Sequence, residues 1–277
     1  MTTDGLELAV YETGSPENPT IVCVHGYPDS HSVWDGVVAE LGDRFHVVTY
    51  DVRGAGYSDA PDDRKGYRID QLNADLASVI DALAPDKQVH LLAHDWGSIQ
   101  SWGAVTDPAF EQRLASYTSI SGPSLDMAGV WLRGLPKHPR ASLRQLLHSY
   151  YVFAFQLPGL PERLVDVGLL DRILALDPST NGQLRVRRDQ ANGIELYRAN
   201  FLRLGLPKPG RAVCPVQVLA PKDDSYVTVA LQTQAPVPFV DELTTRVIPG
   251  GHWVVEQNPR LIAEYFLDWL RILEETR

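Results

Sequence analysis

Cysteine is scarce in this chain: Cys23 and Cys214 are the only two among 277 residues. Each lies in an apolar run, "IVCVHG" and "AVCPVQVLA", and reads as a buried free thiol. A disulfide framework or a thiolate metal centre needs more cysteines, or a ligand spacing that is absent. Long apolar runs are missing as well. None reaches ~18 residues, so no membrane span is expected, and the opening "MTTDGLELAV" lacks the basic-then-apolar order of a secretory leader. A cytoplasmic protein is the resulting expectation. Positive charge is in deficit, with 25 Lys and Arg against 35 Asp and Glu, a formal net charge of −10. That balance argues against a nucleic-acid partner, because binding phosphate requires a basic surface that displaces counterions. It leaves the charge of a small substrate open. There is no internal repeat or low-complexity segment.

What is present suits one soluble globular domain with an insertion: 44% of residues are apolar and 22% charged. Six short apolar runs read as buried parallel strands: 20–26, 45–51, 88–94, 117–122, 216–221 and 245–250. Continuous apolarity, in place of alternation, is what a sheet covered on both faces requires. Between the runs lie helical patterns. In "IDQLNADLASVIDAL", Ile69, Leu72, Leu76, Ile80 and Leu83 recur at three- and four-residue steps. The last helix has Asn258 as its cap, Pro259 at its first position, and Ile262, Phe266, Trp269 and Leu273 as its inner stripe. Alternating strand and helix marks an α/β fold, a mostly parallel central sheet flanked by helices.

The alternation stops between about Pro123 and Cys214. That stretch is helical, proline-punctuated and rich in Leu, Arg and aromatic residues. It divides the chain into a core of residues 1–123 and 214–277 and an inserted helical cap of residues 124–213. Open α/β sheets bind ligands at the carboxyl ends of their strands, so a lid inserted after a strand end would roof the site.

"LLAHDWGSIQ" (91–100) reads as a buried strand that turns sharply into a helix, with Asp95 at the turn between the small residues Ala93 and Gly97. Small-x-nucleophile-x-small across a strand–turn–helix is the nucleophile elbow. An ordinary helix N-cap is an equal alternative for Asp95 from these five residues alone. Three further features weigh against it. "VHGYPDS" (24–30) follows an early strand, and such a loop supplies a backbone N–H to an oxyanion hole, here Tyr27, with a second from Trp96. Pro28 stiffens that loop, with a cis bond as one way of doing so, and His25 reads as a structural histidine. His252 in "PGGHWVVEQNP" stands directly after the last strand. Asp224 in "LAPKDDSYVT" is placed to orient His252 through its ring N–H, in preference to its neighbour Asp223.

Taken together, these residues resemble the α/β-hydrolase superfamily and, within it, the epoxide hydrolases. "HGYPDS", "YDVRGAGYSDAP", "AHDWGS" and "GGHW" fall in the family's order and spacing, so the similarity covers essentially the whole chain. It implies the α/β-hydrolase fold, Asp95 as nucleophile, and the amides of Tyr27 and Trp96 as oxyanion donors. "SYYVFAFQLPGLPE" (149–162) and "IELYRANF" (194–201) resemble the two cap segments whose tyrosines bind and protonate the epoxide oxygen, and the matches fall on Tyr151 and Tyr197. Those two, with Trp96, would contact substrate; Tyr150, Phe153 and Phe155 read as cap packing. The lone G-x-G of "RGAGYS" lies outside any dinucleotide fingerprint. Some bacterial relatives in the resemblance are fused to a dehydrogenase domain; this sequence shows no such part, and it stays open whether the chain is the hydrolase part of a longer protein.

A carboxylate nucleophile is already ionised near neutral pH and can displace a leaving group from saturated carbon, leaving an ester on the enzyme. The implied reaction joins a hydrophobic epoxide and water to a vicinal diol, with no metal or organic cofactor. A homodimer is an open assembly state. The alternatives are a haloalkane dehalogenase using the same Asp95, which would need halide donors such as the Trp96 N–H, and a non-catalytic ligand-binding member of the fold. Relatives of the dehalogenase kind often carry asparagine after "HG", where this chain has Tyr27.

Overall fold

A computed structural model describes residues 4–180, 184–201 and 208–276. The expected insertion, 124–213, includes residues 181–183 and 202–207, which lie outside the described residues, as do the first three residues of the opening segment.

Seven strands form one sheet: β1 (Val10–Thr13), β2 (Thr20–Val24), β3 (His46–Tyr50), β4 (Val89–His94), β5 (Leu114–Ile120), β6 (Val216–Pro221) and β7 (Leu243–Ile248). Their spatial order is β1-β3-β2-β4-β5-β6-β7. β1 pairs antiparallel to β3, and every other neighbouring pair is parallel. The six parallel strands fall on the apolar runs of the sequence. β1 has no such run: it is an edge strand, "VYET", with none of its residues buried, so no hydrophobic pattern marks it.

The reason for continuous apolarity is visible in β2. Ile21 and Cys23 pack into one core with Trp34, Phe266 and Trp269, while Val22 and Val24 pack into the other with Leu72, Leu76 and Trp102. Helices cover both faces: α1 (Asp35–Leu41), α2 (Ile69–Leu83) and α3 (Trp96–Val105) early in the chain, then α10 (Val229–Gln234), α11 (Val254–Gln257) and α12 (Pro259–Thr276) after β6. α2 spans the periodic stretch and buries Leu72, Leu76 and Ile80. α12 begins at Pro259, and the Leu261 amide donates to Asn258 Oδ1 at 3.2 Å. Among the described residues no helix is long and apolar enough to cross a membrane.

Between β5 and β6 the described residues form six α-helices: α4 (Leu125–Arg133), α5 (Pro139–His148), α6 (Tyr150–Phe155), α7 (Leu160–Asp166), α8 (Leu169–Leu174) and α9 (Arg187–Asn200). α9 is fastened to loops at the carboxyl ends of β2 and β3. The Tyr27 hydroxyl donates to the Gln190 carbonyl at 3.0 Å, the Gly56 amide to Asp189 at 2.9 Å, and Asn192 to the Gly54 carbonyl at 2.8 Å. The strand order reverses around β2, so β3 and β4 flank it on opposite sides. This is the switch point where an open α/β sheet leaves a crevice.

The loop after β3 carries Arg53, whose guanidinium is fully buried. It donates from Nε and Nη2 to the two oxygens of Asp75 on α2, at 2.5 and 2.6 Å. Asp4, to which Nη1 donates at 2.7 Å, and the Gly66 carbonyl remain as partners of Arg53 when Asp75 is removed. The loss is then that of the charge-assisted bonds to Asp75, about 1.5–3 kcal/mol. Asp75→Ala should therefore lower stability to urea by that amount, whereas Asp81→Ala at an exposed pair on the same helix should cost under about 1 kcal/mol. Equal losses would remove the distinction.

Candidate active site

Four strand ends converge on one place. Asp95 follows β4 directly with φ 51° and ψ −124°, a left-handed conformation that a non-glycine residue holds only when its surroundings impose it. The elbow is held on both sides: the Asp95 amide donates to the Ile120 carbonyl at 3.0 Å, and the Asp95 carbonyl accepts from Ile99 at 2.8 Å. There is no room for a larger neighbour. A Cβ at Gly97 would lie 2.2 Å from the Val24 carbonyl oxygen, and one at Gly26 would lie 2.4 Å from Asp95 Oδ1. The N-cap alternative fails, because the Asp95 side chain accepts no bond from the amides of α3.

That side chain turns instead toward the end of β2. Asp95 Oδ1 accepts the Tyr27 N–H at 2.7 Å, and Oδ2 lies 3.4 Å from His252 Nε2. His252, four residues beyond β7, has its Nδ1 3.1 and 3.2 Å from the two oxygens of Asp224, beyond β6. Asp224 is turned inward by its own loop, where Oδ1 accepts the amides of Tyr226 and Val227 at 2.8 and 3.0 Å. Asp223 points outward, with its side chain 65% exposed beside Lys222. The Trp96 amide makes no bond to the Asp95 carboxylate among the described residues; it is at the first position of α3, where amides have no intrahelical partner.

The charges are strongly coupled. Burial works against the His252 imidazolium, but the Asp224 charge and hydrogen bond, followed by Asp95, outweigh it and raise its proton affinity well above the ordinary histidine range. Burial likewise opposes ionisation of Asp95 and Asp224, and His252 overcomes it, keeping both below the usual carboxylate range. The resting arrangement is an imidazolium between two carboxylates.

A cavity of about 410 Å³ opens above Asp95 and His252. Tyr151 of α6 and Tyr197 of α9 line it, their ring centroids 5.8 Å apart in an edge-on contact. Burial, with the charge of Asp95 adding to it, pushes both phenols well above the ordinary tyrosine range. Both therefore keep their protons at neutral pH. The remaining walls are mostly apolar, including Phe155, Leu170, Ile173 and Leu174. Trp96 is not among the cavity-lining residues; its indole is buried against Tyr197 and Phe201. Tyr150 and Phe153 are exposed, so of the three aromatic residues read as cap packing only Phe155 is buried.

Several residues at the site were not singled out by the sequence. His94 supports His252 from below: its Nε2–H donates to the His252 carbonyl at 2.8 Å, and burial lowers its pKa to about 4, so the ring is neutral. Tyr226 stacks edge-on against His252 with centroids 4.7 Å apart. Asp29 is buried, accepts from the Trp253 indole at 3.0 Å and pairs with Arg185 at 3.0 Å, while Arg185 also holds Glu256. Burial, against the pull of Arg185, raises Asp29 to about 7. The available signals were slight: His94 and Asp29 stand inside the quoted motifs, but Arg185 reaches them only through the fold. His25 is structural, its Nδ1–H donating to the Gly26 carbonyl and its Nε2 accepting from Val52. The Tyr27–Pro28 bond is cis. Among the described residues there is no group of three or more His, Cys, Asp or Glu able to hold a metal.

Residues 19–259 match the family described as alpha/beta hydrolase fold. The chain is 36% identical over 280 residues to the probable oxidoreductase EphD of Mycobacterium tuberculosis, covering 94% of this chain and 47% of that protein. The chain thus spans about half the length of that relative. It is 26% identical to epoxide hydrolase 3 of Mus musculus, over 97% of this chain and 75% of that protein. Among solved structures, an epoxide hydrolase from Bacillus megaterium in complex with its diol product superposes with a TM-score of 0.79 at 20% identity, covering 98% of this chain and 99% of the other. At that identity the likeness concerns the fold.

The geometry makes Asp224, and not Asp223, responsible for the basicity of His252. In a titration of the His252 ring followed by nitrogen-15 NMR, Asp224→Asn should move its deprotonation to lower pH, because the strongest electrostatic support of the imidazolium is gone. Asp223→Asn should leave the curve in place; a shift there would reverse the assignment.

Proposed function

The chain belongs to the alpha/beta hydrolase fold family, and on that premise we propose that it hydrolyses epoxides to vicinal diols through a covalent ester on Asp95. The observation that carries this reading is a carboxylate at the elbow facing two protonated tyrosines across an apolar cavity. Relatives named as epoxide hydrolases support it. In this reading residues 1–123 and 214–277 are the hydrolase core and residues 124–213 the cap that carries both tyrosines.

The contacts of Asp95 and His252 support a two-step course. The Tyr27 amide holds Asp95 Oδ1, which leaves Oδ2 to attack. An Oδ2 electron pair forms the bond to one epoxide carbon as the ring C–O bond breaks on the far side. The oxygen released from that bond takes a proton from Tyr151 or Tyr197, while the other phenol donates a hydrogen bond. Oδ1 becomes the ester carbonyl oxygen, already seated on the Tyr27 amide. The ester has lost the charge of Asp95, one of the two carboxylates that keep His252 protonated. Its proton affinity therefore falls, its proton passes through solvent to the tyrosinate left by ring opening, and the neutral imidazole, still oriented by Asp224, can act as a base. Water gives it a proton and attacks the ester carbonyl carbon. Tyr27, with Trp96 as the second proposed donor, then stabilises the oxyanion on Oδ1, the kind of charge that backbone amides stabilise by several kcal/mol. Collapse breaks the bond from the carbonyl carbon to Oδ2, which leaves as the alkoxide of the diol and takes the proton of the new carboxyl group by way of His252. The diol departs, and the Asp95 carboxylate and the His252 imidazolium are restored. The apolar walls select a hydrophobic epoxide.

An opening epoxide needs a proton donor, whereas a departing halide does not, so the two tyrosines separate this reading from a dehalogenase. Tyr151→Phe and Tyr197→Phe keep the rings and delete only the hydroxyls. Each should slow ester formation from an aryl epoxide by ~10²–10⁴-fold, the usual scale of general-acid assistance, and the double variant should nearly abolish it with an unchanged circular-dichroism spectrum. Undiminished alkylation in the folded double variant, with halide released from bromoalkanes, would overturn the epoxide reading.

A further inference from the structure

A net charge of −10 conceals a basic face. Residues 124–213 hold 13 Lys and Arg against 7 Asp and Glu, while the rest of the chain holds 12 against 28. The imbalance is sharpest in residues 127–161, which contain Arg133, Lys137, Arg140 and Arg144 and no carboxylate side chain. All four cations are exposed, and among the described residues none of them forms an ion pair.

The same stretch carries eight of the twenty exposed large hydrophobic side chains among the described residues. Leu143, Leu147, Tyr150 and Phe153 are each between 58% and 67% exposed, followed by Leu157 and Leu160 at more than 40%. On α5 cations and leucines share a face. Arg140, Leu143, Arg144 and Leu147 succeed one another at one-, three- and four-residue spacings that keep them on one side of a helix. Ser142 and Gln145 turn inward, and the side-chain oxygen Oε1 of Gln145 accepts from the Thr228 amide at 2.8 Å. That leaves no freedom for the helix to rotate its leucines into the core. The apolar surface continues to the edge of the cavity, where Tyr150, Ile173 and Leu176 are both exposed and cavity-lining.

We propose that this face docks on an anionic lipid bilayer, and that the protein draws its apolar substrate from the membrane through the cavity edge it presents there. The delivery half rests on the epoxide reading; the docking half does not. Charge complementarity argues for this occupant: basic side chains interleaved with leucines and aromatics suit a surface where headgroups are anionic and the acyl boundary lies just below. Continuity with the cavity points the same way. A second copy of the chain seated on this face would cover the cavity edge, whereas a bilayer immerses that edge in the medium where hydrophobic epoxides concentrate.

The test is co-sedimentation with vesicles of equal parts phosphatidylglycerol and phosphatidylcholine, and with vesicles of phosphatidylcholine alone, read without substrate. The protein should bind the mixed vesicles, bind phosphatidylcholine alone far more weakly, and release as salt is raised. A basic residue near an anionic surface is worth about 1 kcal/mol, about fivefold in affinity, so Arg140→Gln with Arg144→Gln should weaken partitioning about 25-fold. Leu143→Ser with Leu147→Ser should weaken it at low and high salt alike. Neither pair lines the cavity above Asp95, but Arg140 and Arg144 line a separate pocket that reaches Asp224. The activity control is therefore the leucine pair, in which turnover of a water-soluble epoxide should be unchanged. Absence of binding to the anionic vesicles, or partitioning that both paired variants leave intact, overturns the docking. So does a dimer in the protein alone that the leucine pair dissociates, which would assign the face to a second copy. Vesicle binding without any epoxide turnover overturns the proposed reaction and leaves the docking standing, so the two failures are separable.

Discussion

Two buried carboxylates share one imidazole, and the site is arranged around that sharing. Placing Asp95 and Asp224 in a water-poor interior would ordinarily neutralise them by protonation. His252 prevents this by standing between them, and each carboxylate in turn stabilises its proton. The trio is therefore a coupled unit whose state depends on how many of its members are charged. Esterification of Asp95, in the proposed reaction, is the event that changes that number. In that proposal a histidine already protonated in the resting protein becomes a base only when the ester exists, so the water-activating step would wait for its substrate.

Such a trio requires rigid placement, and the sheet supplies it. The three members follow β4, β6 and β7, and the amide that holds Asp95 Oδ1 follows β2. These are parallel strands, so their carboxyl ends lie on one edge, and hydrogen bonds across the sheet fix their spacing. Local strain is concentrated at Asp95, whose left-handed backbone is imposed by bonds to β5 and α3 and by the near contact of Gly26 and Gly97 with their surroundings. The helical segment after β5 completes the site from above. α9 is anchored on the loops after β2 and β3, and that anchorage brings Tyr197 to Tyr151.

Much of this was legible in the sequence because its physical causes are local. Burial on both faces makes parallel strands continuously apolar, so six of seven were marked; β1, exposed at the edge, has no such cause and left no pattern. The elbow was legible because close backbone approach demands small residues at fixed offsets around Asp95. The choice between Asp223 and Asp224 depends on which way a short loop turns, and only the amides of Tyr226 and Val227, which donate to Asp224 Oδ1, decide it. The buried cluster of Asp29, Trp253, Arg185 and Glu256 was illegible because it joins three distant parts of the chain. Net charge was misleading in the same way: as a sum it could not show that the basic residues gather on one helical segment.

The central claim is that Asp95 itself bonds to the substrate, and oxygen isotope placement tests it most directly. With enzyme in excess over an aryl epoxide in oxygen-18 water, a single turnover should carry the label into the carboxylate of Asp95, found by mass spectrometry in the peptide that bears it. The diol formed in that turnover should be unlabelled, because water attacks the ester carbonyl and not the substrate carbon. Label in the diol with none in the Asp95 peptide would mean that water opens the epoxide directly, and would contradict the account.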